Sequence, residues 1–390
     1  MPSNYALTYD TWDYCEKNII KNFSKAKRFT YGPITKEYEK KLSKYFKSKY
    51  CVSVNSGSSA NLLALNALFY KKENPLKRGD EVIVTSLGWS TTYSPLQQMG
   101  LKIKVVDIDV KTLSINIESL KKNISHKTRL ILVVNALGNA NHFDEILKIC
   151  KKNQIYLFED NAEGMGAKYN GKYTGTFGVV GTFSTFFSHH ISTIEGGFIL
   201  TDEREIYEIM LALRSHGWTR DLEKNNSLVK KSNDYFEETW RFILPGYNLR
   251  PNEIYSSLGI SQLKKLSHFI KTRRKNLTLL KKLFLNSPFI IQEEIGESSS
   301  FGFSFIIKKE SGINRESIVK VLKKNNIDYR PVIIGNFLKS ESIKHYDIIN
   351  KNQILCNCDY VHKNGFMIGN SHINLKKEIL LLYNSLLVFF

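Results

Sequence analysis

The sequence contains few cysteines, and their arrangement argues against two classes of site. There are five in 390 residues, an odd number without the spacing of a disulfide framework, so we expect free thiols in a reducing, cytoplasmic compartment. Cys356 and Cys358 form a C-x-C pair with no second pair nearby, whereas zinc and iron–sulfur sites are usually held by four ligands. The sequence therefore predicts no metal site.

Long apolar stretches and targeting signals are also lacking. No run approaches about 18 uninterrupted apolar residues, so no transmembrane helix is predicted. Residues 1–5 carry no basic segment followed by an apolar one, as a secretory signal would. Asn384 and Ser385 interrupt the apolar tail at 380–390, which we interpret as a buried terminal helix. We expect no association with a membrane.

Acidic residues are outnumbered by basic ones, and the formal net charge is +19. A chain this basic could bind nucleic acid. The lysines are instead spread along the whole chain, as in 36–49 and 264–275, and no zinc finger, RNP-like strand or basic arm concentrates them. We expect no nucleic-acid partner, and an anionic small substrate fits the basic balance equally well.

What the chain does contain is an alternation of strand-like and helix-like segments, over a length that suits two domains. The predicted strands of the first part are 51–54, 81–85, 102–109, 129–135, 155–160, 181–187 and 197–202. Helices predicted near 90–99, 116–123 and 142–153 separate several of them, which implies a mostly parallel α/β sheet. A long helical pattern at 253–285 then leads to a smaller α+β region with predicted strands at 289–293 and 301–308 and a helix at 316–325. The predicted domains are 1–250, which includes the N-terminal segment, and 251–390.

Ligands bind at the carboxyl ends of the strands in such sheets, and chemically useful residues follow several predicted strands. Trp89 follows one, Asp160 closes another, and His189 follows a third. The first strand leads into the small-residue loop 55–61 before a helix, where backbone N–H groups favour a phosphate. Taken singly, Asp160 could be a turn residue and Trp89 a core residue. Together, a carboxylate for a ring nitrogen, an aromatic for stacking and a phosphate loop describe a site for pyridoxal phosphate.

Five motifs in this order resemble the DegT/DnrJ/EryC1 family of sugar aminotransferases. The matching stretches are Ser56-Gly57-Ser58-Ser59-Ala60, Gly79-Asp80-Glu81-Val82-Ile83-Val84, Glu159-Asp160-Asn161-Ala162-Glu163, Ser184 with Glu195-Gly196-Gly197, and Gly246-Tyr247-Asn248-Leu249-Arg250. The resemblance covers most of the chain. It implies the α/β fold of type I pyridoxal-phosphate-dependent aminotransferases, with a large domain built on a mostly parallel mixed sheet and a smaller α+β C-terminal domain. It also implies a homodimer with shared active sites.

The resemblance assigns cofactor contacts residue by residue. The residues that would contact the cofactor are Ser56, Gly57, Ser58, Ser59, Trp89, Asp160, Glu163, Ser184 and Asn248. Asp160 would pair with the ring nitrogen, and Trp89 would stack on the ring. The serines would hold the phosphate, and Asn248 would reach the phosphate in the neighbouring subunit.

One position departs from the family's pattern. The aminotransferases carry a lysine five residues after the strand serine and seven before the first glycine of Gly-Gly, and here that position is His189. An imidazole has no primary amine for a covalent link to the cofactor's aldehyde, but it can exchange a proton near neutral pH. His190 follows directly. Because successive side chains of an extended backbone face opposite ways, we assign the chemistry to His189 and a structural role to His190.

The strings His-His-x-Ser-Thr-x-Glu-Gly-Gly and 216–222 resemble a subfamily of sugar 3-dehydratases, which bind pyridoxamine phosphate without a covalent bond. The resemblance implies removal of the C3 hydroxyl of a nucleotide-linked 4-keto-6-deoxysugar, GDP-4-keto-6-deoxymannose, for a dideoxysugar (colitose) of the lipopolysaccharide O-antigen. His189 would be the acid and base. The choice of GDP over CDP rests on the resemblance alone.

This subfamily has an iron–sulfur branch and a branch in which glutamate regenerates the cofactor. No cysteine lies between Arg214 and Arg250, where the first branch carries its ligands, so we expect glutamate as co-substrate and no partner reductase. His216, Arg220 and Arg250 are predicted substrate contacts, with Arg250 facing the glutamate carboxylate. A nucleotide-sugar aminotransferase and a non-catalytic binding homologue are the alternatives.

Overall fold

A seven-stranded mixed sheet forms the centre of the protein, which a computed structural model describes over residues 3–390. The strands are β1 (Tyr50–Val54), β2 (Glu81–Thr85), β3 (Lys102–Val106), β4 (Thr128–Val134), β5 (Tyr156–Asp160), β6 (Lys168–Tyr169), β7 (Lys172–Tyr173), β8 (Val180–Ser184), β9 (Gly197–Thr201), β10 (Phe289–Ile291), β11 (Gly302–Ile307) and β12 (Gly365–Gly369). The central sheet has the order β1-β9-β8-β5-β4-β2-β3. Pairing is parallel from β8 to β3, and β9 runs antiparallel to both β8 and β1. The predicted mostly parallel mixed sheet is confirmed.

Helices cover both faces of this sheet. They are α1 (Tyr14–Phe23), α2 (Pro33–Phe46), α3 (Gly57–Ala67), α4 (Ser90–Gln98), α5 (Ile117–Asn123), α6 (Phe143–Asn153), α7 (Arg204–Arg214), α8 (Tyr235–Thr239), α9 (Glu253–Leu283), α10 (Arg315–Lys324), α11 (Cys356–Asn364) and α12 (Lys376–Leu386). Val82 and Val84 of β2 share a core cluster with Leu63 of α3. Ile83, between them, belongs to another cluster with Phe143 of α6. Alternate residues of one strand are thus buried on opposite faces, as expected of a two-sided sheet.

The strand that precedes the histidine pair ends earlier than predicted. It was expected to run to residue 187, but β8 stops at Ser184. The Ser184 hydroxyl accepts a hydrogen bond from the N–H of Phe186 at 3.2 Å, and such local side-chain bonds compete with continued strand pairing. The neighbouring β5 pairs with β8 only as far as Thr182. The following residues therefore form a loop at the edge of the sheet.

The C-terminal part has a sheet and a core of its own. Strands β10, β11 and β12 form an antiparallel sheet, whose core cluster includes Phe305, Leu280 of α9 and Leu382 of α12. Tyr5 from the N-terminal segment joins the same cluster and donates to the Gly369 carbonyl at 2.8 Å. The terminal helix α12 buries one face, as predicted, although Val388 beyond it is exposed. The domain boundary at residue 250 stays a prediction.

No helix within residues 3–390 combines the length and the apolar character needed to cross a membrane.

A buried ion pair joins α2 and α7 to the first strand of the sheet. The Glu39 carboxylate accepts from Arg214 at 2.6 Å and from the backbone N–H and hydroxyl of Ser53 at 2.9 and 2.8 Å. The Arg214 side chain is 0% exposed, and its guanidinium lies over the ring of Tyr31. The charge of Arg214 is thus neutralised by a single carboxylate, in a place that water does not reach.

Replacing Glu39 by alanine should therefore lower the free energy of unfolding by about 3–5 kcal/mol, because it leaves the Arg214 guanidinium buried without a counter-charge. Chemical denaturation would measure the loss. The matched control is Glu37→Ala on the exposed face of the same helix, whose carboxylate pairs with Lys41 at 57% and 45% side-chain exposure. That change should cost less than about 1 kcal/mol, and equal losses in the two variants would contradict the assignment.

Candidate active site

A cavity of about 330 Å³ lies at the carboxyl ends of β5 and β8. The predicted site residues that line it are Ser56, Gly57, Ser58, Trp89, Asp160, Glu163, Ser184 and His189. These come from segments that follow four different strands or close them. The C-terminal part closes the cavity from the other side with Phe301, Arg330 and Ile333. The fold therefore gathers most of the predicted residues around one space.

One end of the cavity is formed by the start of α3. Ser56 is the N-cap of this helix, and its hydroxyl accepts from the N–H of Ser59 at 3.1 Å. The next two N–H groups, of Gly57 and Ser58, belong to the first turn, which has no intrahelical acceptors. A β-carbon at Gly57 would lie 2.7 Å from that of Ser184, so only glycine lets the helix approach β8 this closely. Ser59 donates its N–H to the Ser56 cap and does not line the cavity.

Asp160 lines the same cavity and is buried. Its carboxylate is held by Thr92 at 2.7 Å and Asn61 at 3.0 Å on one oxygen, and by the N–H of Ala162 at 3.3 Å on the other. The residue is 5% exposed, and burial raises the pKa of its carboxyl group, against which these hydrogen bonds act. No lysine, arginine or histidine among the described residues forms an ion pair with it. It is a buried acid without a cationic partner in this chain.

Trp89 and Glu163 also line the cavity. Trp89 is the N-cap of α4 and is 55% exposed, so it is not the core residue that the alternative interpretation required. Glu163 accepts from the N–H of Leu137 at 2.8 Å. Burial raises the pKa of the Glu163 carboxyl group, with Arg330 acting in the opposite direction.

His189 presents one nitrogen to the cavity. Its Nδ1 lies 3.0 Å from the Ala162 carbonyl, and a carbonyl can only accept, so Nδ1 carries the proton of the neutral ring. Nε2 is then the nitrogen with a free lone pair. Burial lowers the pKa of His189 to about 4, with smaller contributions from Arg330 and Arg273. The imidazole is therefore neutral at physiological pH and can take up a proton at Nε2.

His190 points away from the cavity, although the reason differs from the predicted one. The backbone at 187–191 is a turn, not an extended strand, so alternation along a strand does not separate the two rings. Instead, His190 Nε2 bonds the Ser299 carbonyl at 3.3 Å, and the residue is fully buried. Its Nδ1 has no hydrogen-bond partner.

The remaining predicted residues form a second group, outside the cavity of the same chain. Arg250 bonds Asn248 at 3.1 Å and lies 3.2 Å from the His216 ring nitrogen. The guanidinium groups of Arg220 and Arg250 lie over the ring of Trp218, at 4.3 and 5.3 Å. We call these five residues the Trp218 cluster. Their proposed contacts with cofactor or substrate stay predictions.

Several residues of the cavity were not foreseen. Asn61 and Thr92 hold Asp160, and Asn61 could have been found because it is four residues after Gly57 on the same helical face. Arg330 and Phe301 had no such signal, since they reach the cavity only through the packing of the C-terminal part. Glu195 also lines the cavity, and it belongs to the matched Glu-Gly-Gly motif.

Comparison with known proteins identifies the family. The model of the DegT/DnrJ/EryC1/StrS aminotransferase family matches residues 12–352. The chain belongs to this family. The predicted family and its aminotransferase fold are thereby confirmed.

The more similar members of the family are 3-dehydratases. A GDP-4-keto-6-deoxy-D-mannose 3-dehydratase from Escherichia coli O55:H7 is 52% identical over 379 residues, which cover 96% of this chain and 97% of that protein. The protein of the same name from Yersinia pseudotuberculosis is 50% identical over 386 residues, 98% of both chains. A crystal structure of GDP-4-keto-6-deoxymannose-3-dehydratase with a trapped PLP-glutamate geminal diamine has a TM-score of 0.96 at 51% identity, covering 98% of this chain and 100% of that chain. The similarity therefore spans the whole architecture.

The low pKa of His189 predicts an acid-sensitive fold. The unfolded chain takes up this proton near pH 6.5, whereas the folded protein resists it down to about pH 4. Because protons favour the unfolded state in this window, stability should fall as the pH drops from about 6.5 to 4. In His189→Asn the fall should be smaller by on the order of 1–3 kcal/mol, measured by denaturation at both ends of the window.

The exposed His126 provides the control for this measurement. His126→Asn makes the same exchange at a surface position, and the fall in His189→Asn is compared with the fall in this variant. If the His189→Asn protein lost as much stability in acid as the parent, the assignment of a buried, neutral imidazole to His189 would be wrong.

Proposed function

We propose that this chain is a 3-dehydratase that removes the C3 hydroxyl of GDP-4-keto-6-deoxymannose, with glutamate as co-substrate. The observation that carries the proposal is His189, an imidazole at the family's lysine position that lies in the cavity with Nε2 free. No lysine lines the cavity among the described residues. The family's lysine position therefore holds a side chain that can act as a base but cannot form a covalent bond to the cofactor.

The residues that line the cavity fit pyridoxamine phosphate or pyridoxal phosphate. Asp160 is a buried carboxylate without a cationic partner, which suits the protonated nitrogen of a pyridine ring. The first turn of α3, with the Ser58 and Ser184 hydroxyls, offers donors for a phosphate. Trp89 can cover the ring. We expect these residues to hold the cofactor without a covalent bond.

When bound, the cofactor supplies an amine that attaches to the C4 carbonyl carbon of the sugar and a ring that accepts electrons. The remaining steps fall to side chains of this protein. His189 takes a proton at Nε2, because Nδ1 is engaged by the Ala162 carbonyl. It can then give that proton to the departing C3 hydroxyl, which leaves as water. Asp160 would pair with the ring nitrogen and favour its positive charge.

Arg330 is the cation that the cavity offers to an anionic co-substrate. Its guanidinium lies 5.8 Å from the ring centre of Phe301, and its Nε has no partner. Because a guanidinium binds a carboxylate through two parallel hydrogen bonds, we assign Arg330 to the glutamate carboxylate. Arg330 replaces Arg250 as the first choice because it lines the cavity of its own chain, whereas Arg250 could reach only the cavity of a second copy of the chain.

The Trp218 cluster suggests a site shared between two copies of the chain. The family resemblance has Asn248 reach the cofactor phosphate of the neighbouring subunit. Aromatic side chains at 235–242 are exposed, among them Tyr235 at 76%, Phe236 at 87% and Trp240 at 62%. A surface this apolar is more typical of an interface than of a monomer. We therefore propose a homodimer in which the Trp218 cluster of one chain faces the cavity of the other.

The reaction can be tested with pyridoxamine phosphate, glutamate and GDP-4-keto-6-deoxymannose. We expect equal amounts of the 4-keto-3,6-dideoxysugar, 2-oxoglutarate and ammonia, because the electrons that replace the C3 hydroxyl come from glutamate. His189→Asn should reduce turnover at least about 100-fold, as expected for loss of an acid–base group. Mass spectrometry of the sugar and enzymatic assay of 2-oxoglutarate would measure both.

The alternatives give different products. An aminotransferase would place the amino group on C4 of the sugar and keep the C3 hydroxyl. A binding homologue would give no turnover, and His189→Asn would behave like the parent. Borohydride treatment is a further control, since it should fail to fix the cofactor to the chain. A lysine adduct in the peptide map would contradict the role given to His189.

Shared sites can be tested by mixing two inactive variants, His189→Asn and Asn248→Ala. In a mixed dimer one cavity carries both changes, while the other combines an intact His189 with an intact Asn248. Activity should therefore return when the variants are unfolded and refolded together, or co-expressed. Asn364→Ala, on the distant helix α11, should be active on its own. No recovery on mixing, with dimers present, would contradict the shared site.

A further inference from the structure

A buried arginine lies close to the histidine pair without a counter-charge. Arg273 is in the middle of α9 and is 3% exposed. Its Nη1 donates to three backbone carbonyls, those of Ser300 at 3.4 Å, Phe301 at 3.1 Å and Asn370 at 2.9 Å. Its Nε has no hydrogen-bond partner, and no carboxylate of the described residues forms an ion pair with it. A buried charge of this kind is costly.

Two of the carbonyls that Arg273 binds, those of Ser300 and Phe301, belong to a strained turn. Ser300 has φ of 48°, a conformation that side-chain-bearing residues rarely adopt. Asn370 donates to both the carbonyl and the hydroxyl of Ser300 at 2.9 Å, and also to the carbonyl of Arg273. The turn at 299–301 is thus fixed from α9 and from the segment after β12. Such strain persists only where its surroundings enforce it.

The rings of His189 and His190 both pack against this turn. The ring centre of Phe301 is 5.1 Å from that of His189 and 5.8 Å from that of His190. The Ser299 carbonyl bonds His190 Nε2 at 3.3 Å. The turn is also bonded to the segment 137–138, because the N–H of Ser299 donates to the Gly138 carbonyl and that of Phe301 to the Leu137 carbonyl. The N–H of Leu137 in turn donates to Glu163.

We propose that Arg273 is a positioning residue for His189: it holds the 299–301 turn against the imidazole and keeps an unneutralised positive charge behind it. The proposal rests on the proposed function of His189 as a base. The guanidinium repels a second positive charge and so favours the neutral ring. An arginine with a carboxylate partner would not do this, because the pair would be neutral.

Other charged groups also face His189. Asp160, Glu163 and Glu195 line the same cavity as His189. The charged groups that lower the pKa of His189 are Arg330, which also lines the cavity, and Arg273. His190, whose pKa burial lowers, adds no charge of its own. Arg273 thus acts on His189 in the same direction as Arg330, from outside the cavity.

The test compares Arg273→Met, which removes the charge, with Arg273→Lys, which keeps it. Diethyl pyrocarbonate modifies a neutral imidazole but not a protonated one. Peptide mass mapping locates the label on His189, and the pH dependence of this labelling gives the midpoint of the His189 titration without any turnover. In the parent protein the midpoint should lie below about 6.5. Arg273→Met should raise it by on the order of one pH unit. Arg273→Lys should leave it close to that of the parent.

Arg315→Met is the matched control, because Arg315 also bonds backbone carbonyls, those of His362 and Gly365, but lies away from the cavity. It should not move the midpoint. A parent midpoint above about 6.5, an unmoved midpoint in Arg273→Met, or equal shifts in Arg273→Met and Arg315→Met would each overturn the proposal. If Arg273→Met does not fold, Arg273→Gln keeps a donor for the carbonyls without the charge and replaces it in the comparison.

The acid limb of kcat/KM for the dehydration provides a second readout. It should move upward with the labelling midpoint in Arg273→Met, and stay in place in Arg315→Met. The labelling result does not depend on catalysis. A shifted midpoint in a protein that does not dehydrate the sugar would therefore contradict the proposed function and leave the positioning role intact.

Discussion

The buried carboxylate of Asp160 is the interaction on which the cavity depends. Donors from two helices and from its own loop converge on it: Asn61 from α3, Thr92 from α4 and the N–H of Ala162. Burial raises the pKa of this carboxyl group, and the hydrogen bonds act against that rise. They also bring the start of α3, the start of α4 and the end of β5 into one site. A buried acid without a cationic partner in this chain then defines what the cavity can bind.

The histidine at the lysine position changes the electrostatics of that site as well as its chemistry. A lysine would bring a permanent cation near Asp160, whereas the His189 imidazole is neutral at physiological pH. The cavity keeps Arg330 as a lining cation. Burial of the ring and the guanidinium groups of Arg330 and Arg273 lower the pKa of His189 and so favour its neutral form, whereas the hydrogen bond to the Ala162 carbonyl acts in the opposite direction.

Much of the fold could be predicted because its signals are local. Apolar runs such as Val82-Ile83-Val84 and the helical patterns between them predicted the strands of the central sheet. The loop predicted at 55–61 was wrong in part, because α3 begins at Gly57 within it. The predicted end of β8 was wrong by three residues. The Ser184 hydroxyl accepts a hydrogen bond from the N–H of Phe186, and the strand ends at Ser184. The different orientations of His189 and His190 were predicted for the wrong reason. The backbone at 187–191 is a turn and not a strand, and the contact of His190 with Ser299 decides the difference.

The sequence by itself determined the family, the departure at His189 and the residues that close the strands, since each is carried by a few neighbouring positions in a fixed order. Only the tertiary structure decided that Arg330 and Phe301 complete the cavity, that Arg273 lies behind the histidines, and that the Trp218 cluster lies apart from the cavity of its own chain. These contacts join segments that are far apart in the chain. Their distances depend on how the C-terminal part packs against the sheet, which no local pattern encodes.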